Sequence, residues 1–139
     1  MKIANKHTAL ILAEFRAPGV CELCHVACLQ REPHHLWTRT PEVSIRINLI
    51  ATGHFYGIAC QCHRLIHDGK IAKKGVLEVV AARERCIPED ITEVIEWMRR
   101  LVKPTELQLF MALSELSTSA RKLAERELLE CQLLPKVTE

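Results

Sequence analysis

The sequence predicts an α+β protein with a small, irregular module over residues 1–74 and a mainly helical extension over residues 75–139. Three observations predict it. Cysteines paired at Cys21 and Cys24, then at Cys60 and Cys62, bracket a stretch punctuated by Pro33, Pro41, Gly53 and Gly57. Short extended-looking runs lie inside that stretch. Beyond it, apolar residues recur every three or four positions, the spacing of a helix face.

In chain order, Lys6–Arg16 reads as a short helix with Leu10, Ile11, Ala13 and Phe15 on its apolar side, ended by Pro18-Gly19. Pro33–Thr38 crowds large residues into a strand-like run that Pro41 breaks. Ser44–Ile50 alternates Ile45, Ile47 and Leu49 with polar partners, which predicts a second strand. Cys62–Ile66 opens a short helix that stops near Asp68-Gly69. Val76–Arg85 is apolar on one side and fits either helix or strand. Pro88 starts a helix over Glu89–Val102, with Glu89 and Asp90 at the end where the helix dipole favours acids. Pro104 opens a long helix to about Leu134. Within it Leu109, Leu113, Leu116, Ala120 and Leu123 form a heptad-like seam, too short for a free-standing coiled coil. This seam either packs within the chain, which is the reading taken, or joins a homodimer or larger assembly.

The chemistry is concentrated between Cys21 and His67. A C-x-x-C knuckle can clamp a tetrahedral ion through two thiolates, and two such elements staple a region too small to build its own core. Seven cysteines, an odd number without a recognisable secretory leader, argue against a disulfide framework. His63 and His67 stand four residues apart, so a helix directs both imidazoles to one face. His34 and His35 are strand neighbours pointing to opposite faces, so one can meet a metal while the other meets substrate or water.

These residues resemble the HNH (His-Asn-His) endonuclease family in its zinc-stapled branch. The matching segments are Cys21-Glu22-Leu23-Cys24, His34-His35-Leu36-Trp37-Thr38-Arg39, Asn48-Leu49-Ile50 and Cys62-His63-Arg64-Leu65-Ile66-His67-Asp68-Gly69, spanning about residues 6–70. The resemblance implies a ββα-metal, treble-clef-like module. It implies His35 as general base, Asn48 as the residue that steadies the His35 loop, and His34, His63 and His67 as ligands of a catalytic Mg, Mn, Ni or Zn ion. Cys21, Cys24, Cys60 and Cys62 would hold a structural zinc. Two departures leave alternatives open. The second knuckle reads Cys60-x-Cys62 with Ala59 where a cysteine is usual, so Cys28 competes with Cys60 as the fourth ligand. Asn48 lies unusually far ahead of Cys62, and the insert Ala51–Ile58 brings in His54 as a rival for the middle role.

Charge and composition suit that reading. Residues 1–74 carry 10 Lys/Arg against 5 Asp/Glu, and residues 75–139 carry 9 against 12, so the positive excess lies with the Cys/His cluster. A polyanion such as DNA is drawn to that half. Arg39, Arg46, Arg64, Lys70, Lys73 and Lys74 are the expected phosphate contacts. At 48% apolar the chain can bury a core, and no run approaches the roughly 18 residues that span a bilayer, so a soluble, cytoplasmic protein is expected. Trp37 is read as core rather than a stacking platform, His7 and His25 as local residues, and Cys86 and Cys131 as small buried groups. The alternative function is a zinc-stapled nucleic-acid or protein adaptor that cleaves nothing.

Overall fold

The computed structural model describes residues 19–28, 30–37, 45–101 and 105–133. The helix expected at Lys6–Arg16, together with His7 and Arg39, lies outside the described residues.

The described chain opens with a knuckle. Val20 and Ala27 form an isolated antiparallel bridge, and the Cys28 amide donates to the Gly19 carbonyl at 2.8 Å. Between them Cys21–Cys24 turns tightly, and His25 takes the left-handed conformation at φ 59°. Strand β1 (Arg31–His35) then pairs antiparallel with β2 (Leu49–Gly53), with His34 opposite Ile50 and His35 opposite Leu49. Pro33 cannot donate to a ladder, and a two-stranded ribbon tolerates it because each strand keeps an open edge.

The alternation at Ile45, Ile47 and Leu49 is not a strand. Arg46–Asn48 forms one 3-10 turn, and β2 begins only at Leu49. The Asn48 amide donates back to the Ile45 carbonyl at 2.9 Å, curling the backbone. Ile45, Ile47 and Asn48 are all 0% exposed, so this turn lies inside the core rather than along a half-solvated sheet.

Helix α1 (Cys62–His67) follows β2 and ends at Gly69, whose φ of +73° lets the Lys70 amide return to the Leu65 carbonyl. The ambiguous segment is helix α2 (Lys73–Glu84). Helix α3 (Pro88–Arg100) starts at its proline, with the Asp90 carboxylate accepting from the Ile87 amide. The long helix expected after Pro104 is broken into α4 (Glu106–Ala112), a 3-10 turn at Leu113–Glu115 and α5 (Thr118–Leu133). Thr105 and Gln108 cap the start of α4 reciprocally. The break has a tertiary cause: Glu93 of α3 accepts from both the amide and the hydroxyl of Ser117, at 2.7 and 2.8 Å, while Leu116 is extended.

Leu109, Leu113, Leu116, Ala120 and Leu123 are all buried and join one apolar cluster with Leu36, Ile47 and Ile50 from the N-terminal half and Val80, Ile95 and Trp97 from the helices. The seam is thus packed inside this chain. A buried ionic chain runs parallel to that core. Glu22 of the knuckle pairs with Arg83 at 3.0 Å, Arg83 with Glu84 at 2.6 Å, Glu84 with Arg46 at 2.7 Å and Arg46 with Glu127 at 2.7 Å. It ties the cysteine knuckle to α5 through the turn before β2. Among the described residues no helix is long and apolar enough to cross a membrane.

Candidate functional site

Two clusters of side chains able to hold a metal ion are built on the β1–β2–α1 unit. The first is made of thiols. Cys21 and Cys24 come from the knuckle turn, Cys60 from the segment leaving β2 and Cys62 from the first position of α1, and their sulfurs lie within 4.8 Å of one another. Cys24 Sγ and Cys60 Sγ are 3.6 Å apart. A tetrahedral zinc site with Zn–S of about 2.3 Å has edges of ~3.8 Å, so the arrangement fits that ion. The short Cys60-x-Cys62 spacing works because Gln61 is the helix N-cap, which turns the chain between the two thiols.

The acid–base state of the thiols also suits a soft divalent ion. Burial pushes Cys21 up to about 11 and raises Cys62 strongly. Burial acts on Cys60 in the same direction, yet hydrogen bonds from the Cys62 and Gly53 backbone and from the Cys21 and Cys24 thiols hold it down to about 7. One thiolate is thus supported by its neighbours, and a cation would displace the remaining protons. Cys28 packs beside Cys60 with its thiol raised by burial and by Cys60, but it is not among the four converging sulfurs. Gly53 makes the convergence possible, since a Cβ there would stand 2.6 Å from Cys60 Cβ.

The second cluster is made of imidazoles. His34 of β1 faces His63 and His67 of α1, and one ring nitrogen from each lies within 4.8 Å of the others. Ring centroids are 5.2 Å apart for His34–His63, 5.1 Å for His34–His67 and 4.8 Å for His63–His67. Burial, reinforced by the neighbouring His63 and His67, lowers His34 to about 4. Burial also lowers His63, against an upward pull from Glu32. Neutral imidazoles with free lone pairs are the form that ligates a metal.

Glu32 is the residue that sequence reasoning missed. It sits two positions before His34, on the same strand face, and its Oε1 lies 3.3 Å from His63 Nδ1. A carboxylate on one ring nitrogen fixes the tautomer and leaves the other nitrogen to a metal. The i, i+2 spacing on a strand was the available signal. The same carboxylate accepts from the Phe55 amide and lies 3.9 Å from His54 Nε2, so it also anchors the 54–57 turn.

His35 is half-buried beside this triad, and burial together with His63 lowers its pKa. Asn48 is fully buried and faces the chain just past His35. Its Oδ1 accepts from the Trp37 amide at 2.8 Å and its Nδ2 donates to the Trp37 carbonyl at 2.7 Å. His54 instead lies on the far side of Glu32 and accepts from the Tyr56 amide.

The expected phosphate contacts divide. Lys70, Lys73 and Lys74 are exposed, with Lys73 Nζ 3.7 Å above the Trp37 ring. Arg64 lies on α1 beside the histidines and donates to the Phe55 carbonyl at 3.2 Å. Arg46 is corrected: it is 7% exposed and its guanidinium is committed to Glu84 and Glu127, which leaves it inside the core rather than on a phosphate-facing surface.

Comparison with protein-family models, with curated proteins and with solved structures finds no match to this chain. The fold and the site therefore define its class by geometry: an α+β protein with a small two-stranded sheet, several helices and a four-cysteine cluster in metal-binding geometry, compatible with a structural zinc.

Proposed function

We propose that the chain is a metal-dependent endonuclease of the HNH type that hydrolyses DNA phosphodiester bonds, built on a zinc-stapled ββα-metal module. One observation carries the reading: His34, His63 and His67 share a space the size of one ion, with His35 next along the same strand. A purely structural staple needs no second cluster of this kind, because the four thiols already supply one.

His34, His63 and His67 would hold a divalent ion, Mg, Mn, Ni or Zn, with three imidazole donors favouring the last two, and the ion when bound would supply charge stabilisation at the scissile phosphate and its leaving oxygen. His35 acts as the general base. Its neutral imidazole takes a proton from water as the water oxygen bonds to phosphorus. The bond from phosphorus to the 3′ oxygen breaks and that oxygen takes a proton from solvent, leaving a 5′-phosphate and a 3′-hydroxyl. Glu32 holds His63 in the ligating tautomer, and Asn48 holds the strand exit so that His35 keeps its place. Arg64, Lys70, Lys73 and Lys74 attract the phosphate backbone.

Plasmid cleavage with Mg or Mn tests the proposal, comparing wild type with His35→Ala at matched zinc content. Metal-dependent nicking that falls by about 10²-fold or more in the variant supports it. If both proteins bind DNA and zinc yet neither cuts any plasmid or branched substrate, the chain is an adaptor instead.

A further inference from the structure

The turn between β2 and α1 presents an aromatic surface that the cleavage chemistry above does not use. The Gly57 amide donates to the His54 carbonyl at 2.7 Å, and His54 Nδ1 accepts from the Tyr56 amide at 3.1 Å, so the turn is closed from both sides. A Cβ at Gly57 would stand 2.9 Å from the His54 carbonyl oxygen, so the closure requires glycine. Phe55 points inward, its ring 5.6 Å from both His63 and His67. Tyr56 points outward at 75% exposure, its ring 5.0 Å from Phe55. The Arg64 guanidinium lies 5.5 Å from the Phe55 ring and 6.0 Å from the Tyr56 ring. A line of aromatic rings therefore leads from the histidine cluster to solvent, bordered by a cation on α1.

The chain has six Phe, Trp and Tyr residues in all, and it leaves its single tyrosine in water at this point. A flat exposed ring beside a guanidinium recognises the face of a base and the phosphate next to it. Base faces are hidden in a duplex and open in a single strand. We propose that Tyr56 and Arg64 form a stacking platform that seats an unpaired DNA base beside the histidine cluster, so that the substrate is single-stranded or locally unpaired DNA. The inference rests on reading the histidines as a nuclease site, but its test is a binding measurement and does not require cleavage.

The zinc-loaded full chain is titrated, with calcium in place of magnesium, against a short fluorescein-labelled oligothymidine and against a duplex of equal length at fixed salt. The single strand binds more tightly to wild type than the duplex does. Tyr56→Ala weakens single-strand binding about ten-fold, the size expected for loss of one stacked base, and leaves duplex binding unchanged. Tyr56→Phe retains wild-type affinity. Tyr56→Trp adds an emission that the oligonucleotide quenches. The proposal is overturned if Tyr56→Ala binds the strand like wild type, if strand and duplex weaken equally, or if wild type shows no preference for the strand. Absence of metal-dependent cutting of plasmid, branched and single-stranded DNA alike, with the Tyr56 effect intact, overturns the nuclease reading and leaves the platform standing.

Discussion

Asn48 grips the backbone of Trp37 with both ends of its amide, donating to the carbonyl at 2.7 Å and accepting from the N–H at 2.8 Å. These bonds follow directly on the backbone bond from the Leu36 N–H to the Asn48 carbonyl at 2.9 Å, just past the His35–Leu49 pair. Asn48→Ala removes the partner of both Trp37 groups, at up to about 1–3 kcal/mol for each, less where the half-buried Trp37 backbone reaches water. Urea unfolding of the variant is expected to show a loss of that order, and on the proposed nuclease reading metal-dependent cleavage falls alongside. Asn48→Asp fails to rescue, because it sets an oxygen against the Trp37 carbonyl. Wild-type stability in both variants would remove Asn48 from this role.

Gly53→Ala probes the thiol cluster without touching a thiol. The new Cβ would meet Cys60 Cβ at 2.6 Å and the Cys28 and Cys60 sulfurs at 3.0 Å. Backbone or ligands must shift, at about 1–3 kcal/mol for overpacking. Zinc release to a chromophoric chelator is expected to be faster than from wild type, with a lower Tm. An unchanged release rate would mean that the four sulfurs do not hold the metal together.

Glu32→Gln keeps the size of the side chain and removes its charge from His63 Nδ1. Loss of such an orienting carboxylate costs roughly 10–100-fold in metal affinity. Isothermal titration of Mn into the zinc-loaded protein should show that drop, and the thiol-bound zinc should stay. Unaltered Mn affinity would leave Glu32 as an anchor of the 54–57 turn alone.

Arg46→Met replaces the buried guanidinium between Glu84 and Glu127. Breaking a buried pair on one side costs up to about 3–5 kcal/mol, because both carboxylates stay buried with one cation fewer beside them, although Glu84 keeps Arg83. On the proposed nuclease reading the matching expectation on function is negative: the salt dependence of DNA binding is unchanged in Arg46→Met, whereas Arg64→Ala lowers its slope. A reduced slope in a folded Arg46→Met protein would return Arg46 to the nucleic-acid surface.

Cys86 gives a pH signature away from both clusters. Burial, followed by the charges of Asp90 and Glu84, pushes its thiol up to about 11 from 9.0. The folded chain thus holds this proton to higher pH than the unfolded chain, and stability falls as pH rises from about 9 to about 11. Tm measured across that window should fall less steeply in Cys86→Ala than in wild type. Parallel curves would show that Cys86 makes no contribution.

What the sequence determined by itself is what depends on nearby residues. Two histidines four apart share a helix face, Pro88 starts a helix, Gly69 ends one, and a C-x-x-C turn brings two thiols together, because 3.6-residue and two-residue periods are properties of the local backbone. Those rules pair Cys21 with Cys24 and His63 with His67; that Cys60 rather than Cys28 joins the thiols, and that His34 joins the imidazoles, was decided by the fold. The tertiary structure decided the remainder. Ile45 and Ile47 alternate like a strand, yet they curl into a 3-10 turn because both sides are covered by core. The seam from Leu109 to Leu123 reads as one helix, but Glu93 captures Ser117 and divides it. Arg46 looks like a phosphate contact until Glu127, 81 residues further on, takes its guanidinium. Glu32 acquires a role only when α1 folds over β1. In each case the deciding partner is distant in sequence, and the free energy of a charge or polar group depends on which partner burial sets beside it.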